Sequence, residues 1–146
     1  MVWLEPSEYE KQKFTVLRLY APKSEKILLD FEPLKISDKP DREPLWEEWH
    51  CYASPLRIFK QDYELLLRYF SKVYPVKDPI NGNVLSFFDV CSDNRIGGED
   101  WLKIICEIEG DMGTVPDNEK AFLLRFVKWL REAMKYTSVI VAEGNL

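Results

Sequence analysis

The sequence has little of what catalytic and cofactor sites commonly need. Among its 146 residues, one is histidine (His50) and six are glycine, of which only Gly97 and Gly98 are adjacent. A Ser-His or Cys-His nucleophile would have to use His50 as its base, and a histidine-rich metal site is excluded. None of the glycine spacings of phosphate-binding loops, dinucleotide-binding loops or nucleophile elbows occurs. We therefore expect no enzyme activity, no cofactor, no metal ion and no small-molecule substrate.

Cysteine and long apolar runs are also scarce. Cys51, Cys91 and Cys106 lie far apart and form no CxxC pair, which argues against a disulfide framework or a zinc knuckle. No apolar run approaches the roughly 18 residues that span a bilayer, and the first residues lack the basic and apolar regions of a signal peptide. We expect a cytoplasmic protein without membrane contact. In it, His50 is a partly buried structural residue and Cys106 a small buried one.

The sequence does contain enough apolar residues for one folded domain over residues 1–146. Hydrophobic residues make up 46% of the chain and aromatic residues 14%, more than a disordered chain carries. The predicted class is α+β, with a mainly antiparallel sheet packed against about three helices.

Residue patterns place the elements of this fold along the chain. Strands are predicted at 13–20 and 26–31, together forming a hairpin, at 84–88 as a buried strand, and at 138–142 as a central strand covered on both faces. Helices are predicted at 55–73, 99–109 and 118–136, the first starting at Ser54-Pro55 and the last capped by Asp117. The proline-containing stretch 32–44 is predicted to be a loop. Residues 45–52 are ambiguous and favour a further strand.

Charge is concentrated in one stretch of the chain. The net charge is −5, but residues 89–119 contain nine acidic and two basic residues, so this stretch is −7 and the remainder +2. A field of one sign repels phosphate backbones and attracts basic partners. We therefore expect no nucleic-acid partner. An ordinary solvated acidic surface would show the same pattern.

Part of this stretch resembles an EF-hand calcium loop. The matching positions are Asp89, Asp93, Asn94, Ile96 and Asp100. Cys91, however, replaces an oxygen ligand, and a thiol suits a hard cation poorly. The preceding segment is also predicted to be a strand, where an EF-hand has a helix. We favour a structural strand-to-helix turn whose Asp and Asn side chains bond to local backbone N–H groups and which binds no calcium.

The C-terminal part, about residues 84–146, resembles a family of small bacterial proteins. The residues that carry the resemblance are Phe88, Asp89, Cys91, Asp93, Asn94, Ile96, Glu99, Asp100, Trp101, Trp129, Val139, Ile140, Val141, Glu143, Gly144 and Asn145. That family includes immunity proteins of polymorphic or contact-dependent growth-inhibition toxins. Arg95 stands where the family has an aromatic residue. The resemblance implies a protein that binds its toxin, commonly a nuclease with a basic cleft, and blocks it by occlusion without catalysis.

The candidate partner-binding residues are the members of the acidic stretch that lie outside the predicted core stripes. They are Asp93, Arg95, Glu99, Lys103, Glu107, Glu109 and Asp111. Their predicted partner is a cognate, basic toxin. The alternatives are another protein-interaction or regulatory domain, an enzyme that uses paired carboxylates, and a degenerate EF-hand-like calcium-binding module.

Overall fold

A computed structural model describes residues 2–36, 43–44 and 48–146. The strands are β1 (Thr15–Leu17), β2 (Leu28–Pro33), β3 (Leu56–Phe59), β4 (Val76–Lys77), β5 (Val84–Leu85), β6 (Asp93–Gly97) and β7 (Val139–Gly144). The helices are α1 (Lys60–Val73), α2 (Gly98–Gly110) and α3 (Asp117–Ala133), preceded by a 3-10 helix at Pro6–Lys11. No helix in these ranges is long and apolar enough to cross a bilayer.

In the described part of the chain, five strands form one sheet in the order β1-β3-β2-β7-β6, and β4 and β5 form a separate two-stranded ribbon. The β1–β3 pair is parallel, and the other pairs are antiparallel. The predicted α+β class with a mainly antiparallel sheet is therefore confirmed.

The helices cover one face of the sheet and bury the main core there. Phe31 of β2 lies 5.2 Å from Phe126 of α3 and 6.1 Å from Trp101 of α2, measured between ring centroids. Both pairs are edge-on, the favourable arrangement for aromatic rings. The Trp101 indole N–H donates to the carbonyl of Ile140 on β7. The apolar stripe of each helix and alternate residues of each strand thus meet in one layer.

The predictions for α2, α3 and β7 agree with the structure. Both helices begin and end within three residues of the predicted bounds. Strand β7 lies between β2 and β6, and its first four residues are buried although they alternate between the two faces. It is therefore covered on both sides, as its continuous apolar run predicts. Asp117 is the first residue of α3 and Pro116 its N-cap, without a side-chain capping bond, so the predicted Asp117 cap is wrong.

Two predictions for the first half are also wrong. β1 and β2 do not form a hairpin with each other, because both pair with β3, which lies between them. Residues 56–59 are this strand, and α1 begins at Lys60 instead of at Pro55. The alternation of buried and half-buried residues in β3 shows the two-residue period of a strand. The sequence pattern did not reveal this strand, because its apolar residues continue directly into the apolar stripe of α1.

Smaller corrections concern residues 45–52, 84–88 and Cys106. Residues 45–47 lie outside the described part, and the described remainder contains bends at Trp49 and His50 and an isolated bridge between Tyr52 and Trp3 instead of a strand. The predicted buried strand at 84–88 is a two-residue strand whose Val84 is 64% exposed. Cys106 is exposed on α2, because it falls on the outward side of a helix whose core stripe is formed by its neighbours. The predicted loop 32–44 begins only after Pro33, and its residues 37–42 lie outside the described part.

Candidate functional site

The predicted partner-binding residues fall on two elements and the turn that follows one of them. Asp93 and Arg95 lie on β6, Glu99, Lys103, Glu107 and Glu109 lie on α2, and Asp111 follows α2. Asp93, Glu99, Lys103 and Glu109 are exposed, while Arg95, Glu107 and Asp111 are half-buried. The structure thus places most of them along one helix and does not gather all seven in one cluster.

Basic residues of neighbouring helices face the acidic end of α2. Glu107 lies 3.8 Å from Lys72, Glu109 lies 2.8 Å from Arg131, and Asp111 lies 4.0 Å from Arg68. The hydrogen bonds from Arg131 lower the pKa of Glu109. Charge that is concentrated in sequence is therefore partly balanced in space, and the end of α2 is less negative than the count over 89–119 predicts.

Arg95 is held in an internal ion-pair network. Its Nε donates to Asp78 at 2.8 Å, and its terminal nitrogens donate to Glu43. The side chain is only 14% exposed. These hydrogen bonds, first to Glu43 and then to Asp78, raise the pKa of Arg95. Its role in the structure is to tie β6 to the segment after β4.

The segment that resembles an EF-hand loop is not folded as one loop, because residues 93–97 form β6. Buried Asn94 organises the turn before it: its amide donates to the carbonyls of Asp89, Ser92 and Ala142, and its oxygen accepts the Asp89 N–H. The Asp89 carboxylate in turn accepts the N–H of Cys91. Asp89 and Asn94 thus bond to local backbone, as predicted. The predicted strand-to-helix turn is nevertheless wrong for residues 93–97, which pair with β7, and among the described residues the Asp93 side chain makes no such hydrogen bond.

An exposed apolar surface lies beside this turn. Phe87 and Val84 are 68% and 64% exposed, and with Asp89 and Asp93 they line a cavity of about 230 Å³. We call these four residues the Phe87 surface. Exposed aromatic residues rimmed by polar groups are typical of protein contact sites.

The sheet face opposite the helices carries a row of charged side chains. Paired residues of neighbouring strands point to the same face, and the register aligns Arg57, Asp30, Glu143 and Asp93 across β3, β2, β7 and β6. Arg57 donates two hydrogen bonds to Asp30, at 2.7 and 2.8 Å, and so balances its charge. Glu143 and Asp93 are carboxylates of like charge side by side.

Glu32, two residues after Asp30, lies on the same face. It is 1% exposed, and among the described residues its carboxylate receives one hydrogen bond, from the Gln12 amide at 3.2 Å. Burial, with contributions from Glu143 and Asp30, raises the pKa of Glu32 to about 8. A carboxyl group in these surroundings resists ionisation unless a positive charge is close.

His50 lies over this face and completes a cluster with the two glutamates. Its Nε2 lies 2.8 Å from Oε1 of Glu143, and its ring stacks on Trp49 with centroids 4.9 Å apart. Burial lowers the pKa of His50, but the hydrogen bond to Glu143 and the nearby carboxylates outweigh it, so the pKa is raised. One nitrogen or oxygen atom from each of Glu32, His50 and Glu143 lies within 4.8 Å of the others. We call these three residues the His50 cluster.

Sequence reasoning missed the His50 cluster. It interpreted His50 as structural, and the three residues lie far apart in the chain. One signal was present: Asp30 and Glu32 interrupt an apolar strand two residues apart, which puts both on one face. Their partners come from β7 and from the segment before β3, and no local pattern predicts that meeting.

No protein-family model matches this chain, and neither the curated proteins nor the solved structures contain a significant match.

Proposed function

We propose that this chain is an immunity protein that binds a cognate bacterial toxin in the cytoplasm and blocks it by occlusion, without catalysis. The observation that carries the proposal is the Phe87 surface: an exposed aromatic ring and an exposed valine beside two carboxylates. Such a surface suits a partner that presents an apolar pocket surrounded by basic side chains. The C-terminal resemblance to immunity proteins supports the same role.

Some of the residues that carry the resemblance to immunity proteins are buried and hold the fold together, and others are exposed. Asn94 and Trp101 donate to backbone carbonyls, and both are almost wholly buried. They hold β6, α2 and β7 together and are inaccessible to a partner. The proposed contacts are therefore exposed side chains, with Phe87 and Val84 as the apolar centre and Asp93 as a charged neighbour, while Glu99 is exposed on α2.

Three of the acidic candidates already have basic neighbours. Glu107, Glu109 and Asp111 face Lys72, Arg131 and Arg68, so their charges are already partly balanced. Reversing all three to lysine would place like charges together, and the expected result is lower stability as well as weaker binding. Substitutions on the Phe87 surface give the cleaner test.

The test uses the toxin encoded beside the gene in the native host. Co-expression with the chain should restore growth of cells that produce this toxin, and the purified pair should form a stable complex. Phe87→Ala should weaken the complex at least tenfold, because truncation of a central aromatic contact commonly costs about 2 kcal/mol or more. Leu124→Ala is the matched control, since Leu124 is another exposed apolar residue, 42% exposed on α3.

Two results would overturn parts of this proposal. If the neighbouring gene product is harmless, or is toxic and not neutralised, the immunity function is wrong. If neutralisation occurs but Phe87→Ala and Leu124→Ala bind equally well, the function stands and the contact surface is wrong. Hydrogen exchange of the complex would then locate the protected residues.

A further inference from the structure

We propose that the His50 cluster binds one divalent transition-metal ion of the zinc class, with Glu32, His50 and Glu143 as its protein ligands. The proposal is independent of the toxin function. The ion would fasten the segment that carries His50 onto the polar face of the sheet.

The donor set fits such an ion. One imidazole nitrogen with two carboxylate oxygens is a combination that zinc and related ions accept, whereas calcium and magnesium prefer oxygen ligands alone. Bonds of about 2.0–2.1 Å in a tetrahedron place ligand atoms about 3.3–3.4 Å apart. The three donor atoms lie within 4.8 Å of one another and the closest pair lies 2.8 Å apart, so a change of about 1.5 Å or less in each donor–donor distance gives this geometry. Three protein ligands leave a fourth position for water.

The balance of charge on this face points to a cation. Arg57 is committed to Asp30 and Arg95 to Asp78 and Glu43. Among the residues that the structure describes, the positive charge that acts on Glu32 is that of His50, which also contacts Glu143, whereas Asp93 is influenced by both His50 and Arg95. Burying carboxylates without compensation is costly. A divalent ion at the His50 cluster would add positive charge beside Glu32 and Glu143 and would replace the proton that Glu32 otherwise holds.

The surroundings hold two of the ligands in place. Glu32 and Glu143 stand on β2 and β7, which are hydrogen-bonded neighbours, so the positions of their backbones are fixed. The Gln12 amide donates to the Glu32 carboxylate and to the backbone carbonyl of His50, at 3.2 Å each. Outer partners of this kind orient metal ligands and are a regular part of metal sites.

The experiment uses chelator-treated full-length protein that carries Cys91→Ser and Cys106→Ser. Both thiols are exposed, and their removal eliminates them as adventitious ligands. Zinc is titrated by calorimetry, and cobalt by absorption spectroscopy. We expect one ion per chain, visible cobalt bands without a sulfur-to-cobalt charge-transfer band, and a higher melting temperature with zinc, because a ligand that binds only the folded state stabilises it.

The variants Glu32→Gln and Glu143→Gln keep the size of the side chain and remove its charge. Each should weaken zinc binding at least tenfold and abolish the rise in melting temperature. Glu64→Gln, at an exposed position on α1, is the control and should bind as the parent does. Circular dichroism checks that each variant is folded, and His50→Gln is interpreted only if it passes this check.

The proposal is overturned by the absence of saturable binding at one ion per chain. It is equally overturned if the glutamine variants bind zinc like the parent, or if cobalt shows a thiolate band, which would assign the ion to Cys51. None of these results bears on toxin neutralisation, since no toxin is present in the measurement.

Discussion

At the scale of single residues, Asp62 shows how one buried side chain can organise irregular backbone. It lies in the first turn of α1, is fully buried, and accepts the N–H groups of Leu19, Tyr20 and Ala21 at 2.6–3.3 Å. These three donors belong to the bend after β1, which has no strand partner of its own at that point. The carboxylate therefore accepts the backbone N–H groups that the carbonyls of a neighbouring strand would otherwise accept.

Asp62→Ala should lower the free energy of unfolding by about 2–4 kcal/mol, because hydrogen bonds to a charged acceptor are lost and buried N–H groups are left without partners. Urea unfolding measures the change. Glu64→Ala, at an exposed position of the same helix, should stay within about 0.5 kcal/mol of the parent. Equal effects of the two substitutions would contradict the assigned role of Asp62.

Gly144 is required for the close approach of two chain segments. A Cβ built on it would lie 1.7 Å from the carbonyl oxygen of Val90, which is backbone and cannot rotate away. Gly144→Ala should therefore force β7 from the turn before β6 and destabilise the fold by about 1–3 kcal/mol or more. Gly113→Ala meets nothing within 4 Å and is the control. Comparable unfolding midpoints for these two variants would show that the approach is not constrained.

Residue-scale prediction from the sequence succeeded where a side chain acts on its own neighbourhood. The local hydrogen bonds of Asp89 and Asn94 follow from their places in a turn. The roles of Asp62, Gly144 and the His50 cluster do not, because each depends on a partner more than 40 residues away. Spacing along the chain carries no information about such distances.

At the scale of elements, helices and strands differed in how well their patterns predicted them. α2 and α3 each carry an uninterrupted apolar stripe with the helical period, so their positions followed from the sequence alone. β3 is four residues long and leads directly into α1. Four residues show the two-residue alternation of a strand only twice, so the pattern is not distinguishable from the start of the helical stripe. β1 and β2 both pair with β3 and not with each other. This pairing depends on how the whole sheet assembles, and the sequences of the two strands do not predict it.

The link between α2 and α3 gives a prediction that depends on pH. Arg131 holds the pKa of Glu109 below its usual value, so this pair adds stability above the usual glutamate pKa and loses it as the pH falls through the lowered value. Arg131→Ala should return the pKa of Glu109 upward toward that of a free glutamate. Carbon-detected NMR titration of the Glu109 carboxyl group measures this. Because the pair is exposed, the stability change should stay within about 1 kcal/mol. An unchanged Glu109 titration in Arg131→Ala would mean that the ion pair does not persist in solution.

At the scale of the whole molecule, the surface charge differs from the charge of the sequence stretch. Bases from α1 and α3 lie against the acids at the end of α2, so the −7 of residues 89–119 is not presented intact to a partner. What remains is a net charge of −5 with unbalanced carboxylates near β6. This predicts moderate, not steep, electrostatic steering of a basic partner.

Association with the proposed toxin should slow as ionic strength rises, because exposed charges are screened beyond about 8–10 Å at physiological salt. Stopped-flow association at low and high salt measures the effect, and the dissociation rate should change much less. Glu99→Lys, at an exposed position of α2, should slow association further at low salt while the parent and the variant converge at high salt. A salt-independent association rate would exclude charge as the basis of encounter.

The place of β7 in the sheet has a consequence for how the chain acquires its fold during synthesis. β2 and β6 are separated by 59 residues, and neither can be completed until β7 is inserted between them. When the chain has emerged from the ribosome as far as the end of α3, β1, β3 and β2 can form a three-stranded sheet. The edge of this sheet at β2 is then unpaired and largely apolar. Contacts between residues so remote in sequence form slowly, and an uncovered strand edge invites pairing with other chains. The nascent chain is therefore most prone to aggregate in the period just before β7 emerges.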